Sequence, residues 1–167
     1  MLFLATPEFR DQVPWSQLYL FWGDERCVPP DHLESNYRMV YETLLSDVPV
    51  PKENVYRMKG EENPQAAADE YELTLRRVFR LSDNDLPRFD LILLGLGEDG
   101  HAASLFPRSH AMHETKCLVA APHMECLRSH RLTLTFPVLN QAANGFSSCR
   151  EEQSSRSEGR ASRQRWL

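Results

Sequence analysis

Asp99 and His101 stand two residues apart inside the run Gly95-Leu96-Gly97-Glu98-Asp99-Gly100-His101-Ala102-Ala103-Ser104-Leu105-Phe106-Pro107. An imidazole takes up and returns a proton near neutral pH, and a neighbouring carboxylate can orient its ring. The pair therefore fits activation of a water molecule, with His101 as general base and Asp99 orienting the ring or shaping the turn. Glycines at positions 95, 97 and 100 let the backbone take positive φ and come close to a ligand. The bland alternative is a strand-to-helix turn capped by Asp99, with His101 at the surface. The spacing Gly95-x-Gly97-x-x-Gly100 also matches a dinucleotide fingerprint. That motif belongs in a first βα unit, with an acid about 20 residues further on, and neither condition is met here.

A second charged cluster is Asp24-Glu25-Arg26. Arg26 could bind a phosphate or polarise a carbonyl. As a bare surface ion pair the same cluster would be worth little. Asn36 and Arg131, taken singly, read as structural polar residues beside ordered segments. His110, His113, Cys117, His123, Cys126 and His130 crowd one stretch and invite a zinc reading. The cysteines are nine apart and fit no paired-ligand pattern, so no metal is expected.

These residues need elements to hold them. The apolar run over residues 89–94 reads as a short buried strand leading straight into the glycine turn. Residues 17–22 read as an aromatic-rich strand, with the turn at residues 23–26 following at once. Tyr37, Val40, Tyr41, Leu44 and Leu45 recur at helical spacing over residues 34–45. Asn63-Pro64 reads as a cap and first helical residue, opening a helix with Ala68, Tyr71, Leu75, Val78 and Phe79 on one face. Residues 118–121 suggest a further short strand. Residues 131–136 alternate as a strand ended by Pro137. Strands interleaved with helices predict an α/β fold with an open, mostly parallel sheet and helices on both faces. In such a sheet the two polar turns lie on one ligand-binding edge.

With 167 residues and 41% hydrophobic content, a single domain with a real core is expected. A net charge of -5 and a pI near 5.7 argue against a nucleic-acid partner. They leave room for an anionic substrate, because a local arginine cluster can hold a phosphate on an acidic protein. The first eight residues carry no basic region and no long apolar run, so neither a signal peptide nor a membrane span is read there. Four scattered cysteines suit a reducing compartment, and a cytoplasmic location is expected. Residues 145–167 are mostly serine, arginine, glutamate and glutamine. Such a stretch cannot offset its ordering entropy. The expected organisation is a domain over 1–144 and a disordered polar tail over 145–167.

The chain resembles the 6-phosphogluconolactonases. The resemblance rests on Trp22-Gly23-Asp24-Glu25-Arg26, Glu34-Ser35-Asn36-Tyr37, the run from Phe89 to Pro107, and Arg131-Leu132-Thr133-Leu134-Thr135-Phe136-Pro137-Val138-Leu139-Asn140, in that order. The related glucosamine-6-phosphate deaminases share the glycine turn but continue it with Phe-Asn-Glu-Pro. Here Ser104-Leu105-Phe106-Pro107 contains no acid, which favours the lactonases. The resemblance implies a Rossmann-like fold of the lactonase and sugar-phosphate isomerase type, and hydrolysis of 6-phospho-D-glucono-1,5-lactone without metal or organic cofactor. It implies catalytic roles for His101, Asp99, Arg26 and Asp24, with Asp24 orienting Arg26, and substrate binding by Gly97, Gly100, Asn36 and Arg131. A small sugar-phosphate lactone is the implied partner, with no nucleic acid and no membrane; the resemblance says nothing of oligomeric state.

Two departures stand out. The family's early Ser-Gly-Gly-Ser-type phosphate loop has no counterpart in residues 1–15. Its later strand and Gly-x-x-Lys-type turn are replaced by residues 145–167. The expectation is an incomplete fold, short at both ends, whose central motifs are intact and which acts either as a lactonase or as a non-catalytic remnant.

Overall fold

The computed structural model describes residues 2–97, 99–107, 109–124 and 129–149. In chain order its strands are β1 (Leu20–Phe21), β2 (Asp24–Arg26), β3 (Val55–Tyr56), β4 (Ile92–Leu96), β5 (Val119–Ala120), β6 (His123–Met124), β7 (Ser129–Leu134) and β8 (Gly145–Cys149). The α-helices are α1 (Pro7–Arg10), α2 (Asn36–Val40), α3 (Pro64–Phe79) and α4 (Phe136–Asn140). Two strand pairs are parallel, β1 with β3 and β4 with β8. Strand β7 pairs antiparallel with β2, β5 and β6.

Helix α3 forms where its sequence signals place it. The Asn63 side-chain oxygen accepts from the N–H groups of Gln65 (3.1 Å) and Ala66 (3.2 Å), and Pro64 takes the first turn. Arg80 ends the helix in the left-handed region, φ +54°. The buried stripe is Ala67, Ala68, Tyr71 and Leu75. It packs into one core with Trp22, Met58, Leu105, Leu132, Leu134 and Val138. The Tyr71 hydroxyl accepts from the Trp22 N–H at 2.9 Å and faces the carbonyls of Trp22 and Tyr56 at 3.2 and 3.1 Å. One side chain thus ties α3 to the segment bearing β1 and to β3. Burial pushes the phenol well above its ordinary pKa, so it stays a neutral hydroxyl.

The α/β reading stands, with several local differences. The strand expected over residues 17–22 shrinks to β1, because Trp15–Gln17 takes a 3-10 turn that buries Trp15. The expected turn at 23–26 is itself a strand, β2. The expected helix over 34–45 is α2 followed by a π-helical turn, Tyr41–Leu45. The strand expected at 89–94 begins three residues later and runs through Gly95 and Leu96. Strand β7 ends before Pro137, which sits in the first turn of α4. Among the described residues the antiparallel sheet around β7 is separate in its hydrogen bonding from the two parallel pairs, the kind of pairing that the alternation of elements predicts. Periodicity reports which residues are extended, not which way their partners run.

Backbone pairing continues past residue 144, since Gly145–Cys149 forms β8. Residues 150–167 of the expected tail lie outside the described residues. Among the described residues no helix is long and apolar enough to cross a membrane.

Candidate active site

Alternation along β2 and β7 sorts their side chains onto two faces. Asp24 and Arg26 share one face, opposite Thr133 and Arg131 of β7. Glu25 points the other way and is 2% exposed. Its carboxylate accepts four hydrogen bonds. One oxygen takes the backbone N–H groups of Arg26 (2.8 Å) and Asn36 (2.7 Å). The other takes the Ser35 hydroxyl (3.1 Å) and the Tyr37 N–H (2.8 Å). A charge this deep needs such partners. Glu25 thereby seats the start of α2 against β2, and Ser35 caps the helix by accepting from the Arg38 N–H at 3.2 Å.

That seating delivers Asn36 to the polar face. Its side-chain amide donates to the Asp24 carbonyl (2.9 Å) and to the Asp24 carboxylate (3.1 Å). Arg26 and Arg131 lie directly across from each other. Like charges in that position repel. Arg26 donates one terminal N–H to the Glu34 carbonyl. The Nε atoms of Arg26 and Arg131 are buried without a hydrogen-bond partner. Burial, and then the Arg26 charge, pull the Arg131 guanidinium below its usual range, while Asp24 pulls the other way. Two adjacent guanidinium groups with unused buried donors make a face suited to an anionic oxygen.

The glycine turn follows β4. The Gly97 N–H donates to the His101 carbonyl and the Gly100 N–H to the Gly97 carbonyl, each at 2.9 Å. Gly100 has φ +83°, a conformation that side chains rarely adopt. At Gly97 an added Cβ would fall onto the His101 ring and 2.9 Å from the Asp99 carboxylate. His101 Nδ1 lies 2.5 Å from that carboxylate, and the His101 backbone N–H donates to the same oxygen at 3.2 Å. The bond to the His101 ring, and then the backbone bond, hold the Asp99 carboxyl below its usual range. In the neutral tautomer that carries its proton on Nδ1, toward Asp99, the imidazole has its lone pair on Nε2. The ring stacks on Phe106 with centroids 4.2 Å apart, and the His101 side chain is 32% exposed. Among the described residues no α-helix directly follows the turn. The chain instead folds back through a bridge between Ala102 and Leu105, with Ala103 at φ +52°.

Ser104 joins the two polar regions. It is 1% exposed. Its hydroxyl donates to Asp24 at 2.7 Å across 80 residues of chain, and its N–H donates to the Thr133 hydroxyl at 3.2 Å. Burial raises the Asp24 carboxyl above its ordinary value, against the Ser104 bond and the charges of Arg26, Arg131 and His101. The eight residues singled out in the sequence thus fall into two linked groups: Asp24, Arg26, Asn36 and Arg131 on the β2–β7 face, and Gly97, Asp99, Gly100 and His101 in the turn. Asp24 accepts from Ser104 and Asn36, one on each carboxylate oxygen, and acts on Arg26 through charge.

Glu25, Ser104 and Thr133 were missed. Reading residues 24–26 as a strand would have placed Glu25 alone on the inner face and exposed its need for partners. Nothing local in the sequence marks Ser104 or Thr133. The histidine and cysteine crowd disperses: His110 and His113 sit on a 3-10 turn, Cys117 is an exposed free thiol, and His123 faces His130 across β6 and β7. Cys126 lies outside the described residues. Among the described residues no three His, Cys, Asp or Glu side chains gather to hold a metal.

The chain is similar to 6-phosphogluconolactonase 3, chloroplastic, of Arabidopsis thaliana, with 40% identity over 148 residues, covering 84% of this chain and 46% of that protein. It is equally similar, 40% over 152 residues, to probable 6-phosphogluconolactonase 4, chloroplastic, of Oryza sativa subsp. indica, covering 84% of this chain and 45% of that protein. The chain therefore spans about half the length of these curated relatives. Its fold superposes on 6-phosphogluconolactonase from Trypanosoma brucei with a TM-score of 0.77 and 30% identity, covering 89% of this chain and 63% of the other. The cytoplasmic expectation is overturned by the plant relatives, both named chloroplastic; an acidic composition and scattered cysteines suit a plastid stroma as well as a cytosol. The model of the glucosamine-6-phosphate isomerases/6-phosphogluconolactonase family matches residues 2–155, and the chain belongs to that family.

Proposed function

We propose that this chain carries the water-activating part of a 6-phosphogluconolactonase and hydrolyses 6-phospho-D-glucono-1,5-lactone to 6-phosphogluconate, the hydrolytic step of the oxidative pentose phosphate pathway. The observation that carries the reading is the Asp99–His101 pair, tethered through Ser104 to a face bearing Arg26 and Arg131. His101 Nε2 takes a proton from water as the oxygen attacks the lactone carbonyl. The tetrahedral intermediate then expels the ring oxygen, which receives that proton from His101. Asp99 holds the ring and stabilises the imidazolium between the two steps. Arg26 and Arg131 hold the substrate's anionic oxygens or the developing oxyanion, and Asn36 fixes Asp24 beneath them. The absence of an acid in Ser104–Pro107 argues against the amino-sugar isomerisation of the sister enzymes.

In this reading the substrate is a small sugar-phosphate lactone, and neither cofactor, nucleic acid nor membrane takes part. The plant relatives' names support a plastid location. The catalytic domain extends through β8, with the polar tail following it. The test is a coupled assay on fresh lactone, comparing the chain with His101→Ala. The variant is expected to lose about 10²–10⁴-fold of the catalysed rate. An unchanged rate refutes His101 as base. A folded parent chain with no rate above spontaneous hydrolysis makes the chain a non-catalytic remnant.

A further inference from the structure

Strands β6 and β7 set two imidazoles against each other outside the proposed active site. The Arg131 N–H donates to the Pro122 carbonyl at 3.0 Å, so Pro122 and Arg131 form a hydrogen-bonded pair. Such pairs alternate along an antiparallel ladder. His123 and His130, next along and opposite in register, therefore form a non-hydrogen-bonded pair, the kind whose side chains approach most closely. Their ring centroids are 4.8 Å apart, with the planes inclined at 65°. A metal bound by two imidazoles at about 2.0–2.1 Å needs the two nitrogens within about 4 Å of each other. Rings this close reach that by rotating side-chain torsions, without moving the strands.

The surroundings favour coordination. The Ala121 carbonyl faces His130 Nδ1 at 3.4 Å. A backbone acceptor on one ring nitrogen leaves the other as a lone-pair donor, the usual support behind a ligating histidine. His123 is exposed, which gives an ion a path in. His130 lines an open cleft of about 440 Å³ with Cys27, Glu61 and Glu62 among its walls, which leaves room for bound water. On β7, His130 and Arg131 are neighbours and so point to opposite faces. The pair is thus separate from the arginine face.

We propose that His123 and His130 form a two-imidazole site for a divalent first-row transition ion, with solvent completing its coordination. Two nitrogen ligands bind Cu(II) more tightly than Ni(II), following the general order for such sites. A bound ion would cross-link β6 to β7, the strand that carries Arg131. The inference does not depend on the lactonase reading, because its readout is binding.

The experiment titrates Cu(II) or Ni(II), each as the metal alone, into the full chain at neutral pH. The parent is compared with His123→Asn, His130→Asn and a His110→Asn/His113→Asn control. Each of the first two substitutions is expected to weaken binding about tenfold or more, and the control to leave it unchanged. Electron paramagnetic resonance of the Cu(II) form is expected to show two equatorial imidazole nitrogens in the parent and one in His123→Asn. Full affinity in His123→Asn, or a loss confined to the control, overturns the proposal. His123 is exposed, so its variant keeps the core; if His130→Asn fails to fold, as read by circular dichroism, the His123 variant alone decides.

Discussion

Replacing Glu25 by Gln changes no volume and removes one charge, yet it strikes the contact that seats α2 on β2. The carboxylate accepts two donors on each oxygen. An amide offers only one acceptor. Turned one way, its NH₂ meets the N–H groups of Arg26 and Asn36, and two backbone donors lose their partner. Turned the other way, it meets the Ser35 hydroxyl, which can rotate to accept, and the Tyr37 N–H, which cannot. The second arrangement costs less. It leaves one buried N–H unpaired, at about 1–3 kcal/mol, and converts two charge-assisted bonds to neutral ones at roughly 1 kcal/mol each. The sum is about 3–5 kcal/mol against a total stability of roughly 5–15 kcal/mol for a domain of this kind. Urea unfolding followed by circular dichroism measures it, with the midpoint falling and the slope kept. A loss below about 1 kcal/mol at constant slope would refute the four-bond account, since one orphaned donor alone exceeds it. Asn36 is held by the same carboxylate, so activity is expected to fall with stability.

Gly97→Ala places a Cβ on the His101 imidazole. The expected result is a kcat about 10²-fold lower with KM little changed, because the base moves by about an ångström; steady-state kinetics showing an unchanged kcat would mean the ring sits elsewhere. Tyr71→Phe keeps the ring in the core but orphans the Trp22 N–H. A cost of about 1–3 kcal/mol is expected from thermal unfolding, and a neutral result would contradict the buried bond. Asp24 has a carboxyl raised by burial, so the folded chain keeps a proton that the unfolded chain has released. Stability therefore falls as pH rises from about 3.9 through the raised folded value, and stays lower above it. Asp24→Asn is expected to flatten that slope in unfolding experiments run across acid pH; parallel curves for the two proteins would count against it.

The residues of the turn from Gly95 to His101 were legible because their constraints are local. A carboxylate two residues from a histidine can reach its ring without help from elsewhere, and Gly100 shows its conformational need in its own identity. Helix α3 was legible for the same reason, through Asn63, Pro64 and the spacing of its apolar stripe. Strand β2 was not. Three polar residues carry no period to count, and their extended form comes from pairing with β7, more than a hundred residues away in sequence. The local differences at β1 and β4 have a similar origin, since an apolar run marks burial more reliably than it marks strand ends.

By itself, then, the sequence determined the groups available: a histidine two residues from an aspartate, two arginines, an α/β succession of elements, and no acid in Ser104–Pro107. Tertiary structure alone decided which of these groups meet. The Ser104–Asp24 bond, the Arg26–Arg131 opposition, the burial of Glu25 and the facing of His123 with His130 all depend on strand register. Register is set by the summed packing of side chains distant in sequence, so no short window of residues contains it.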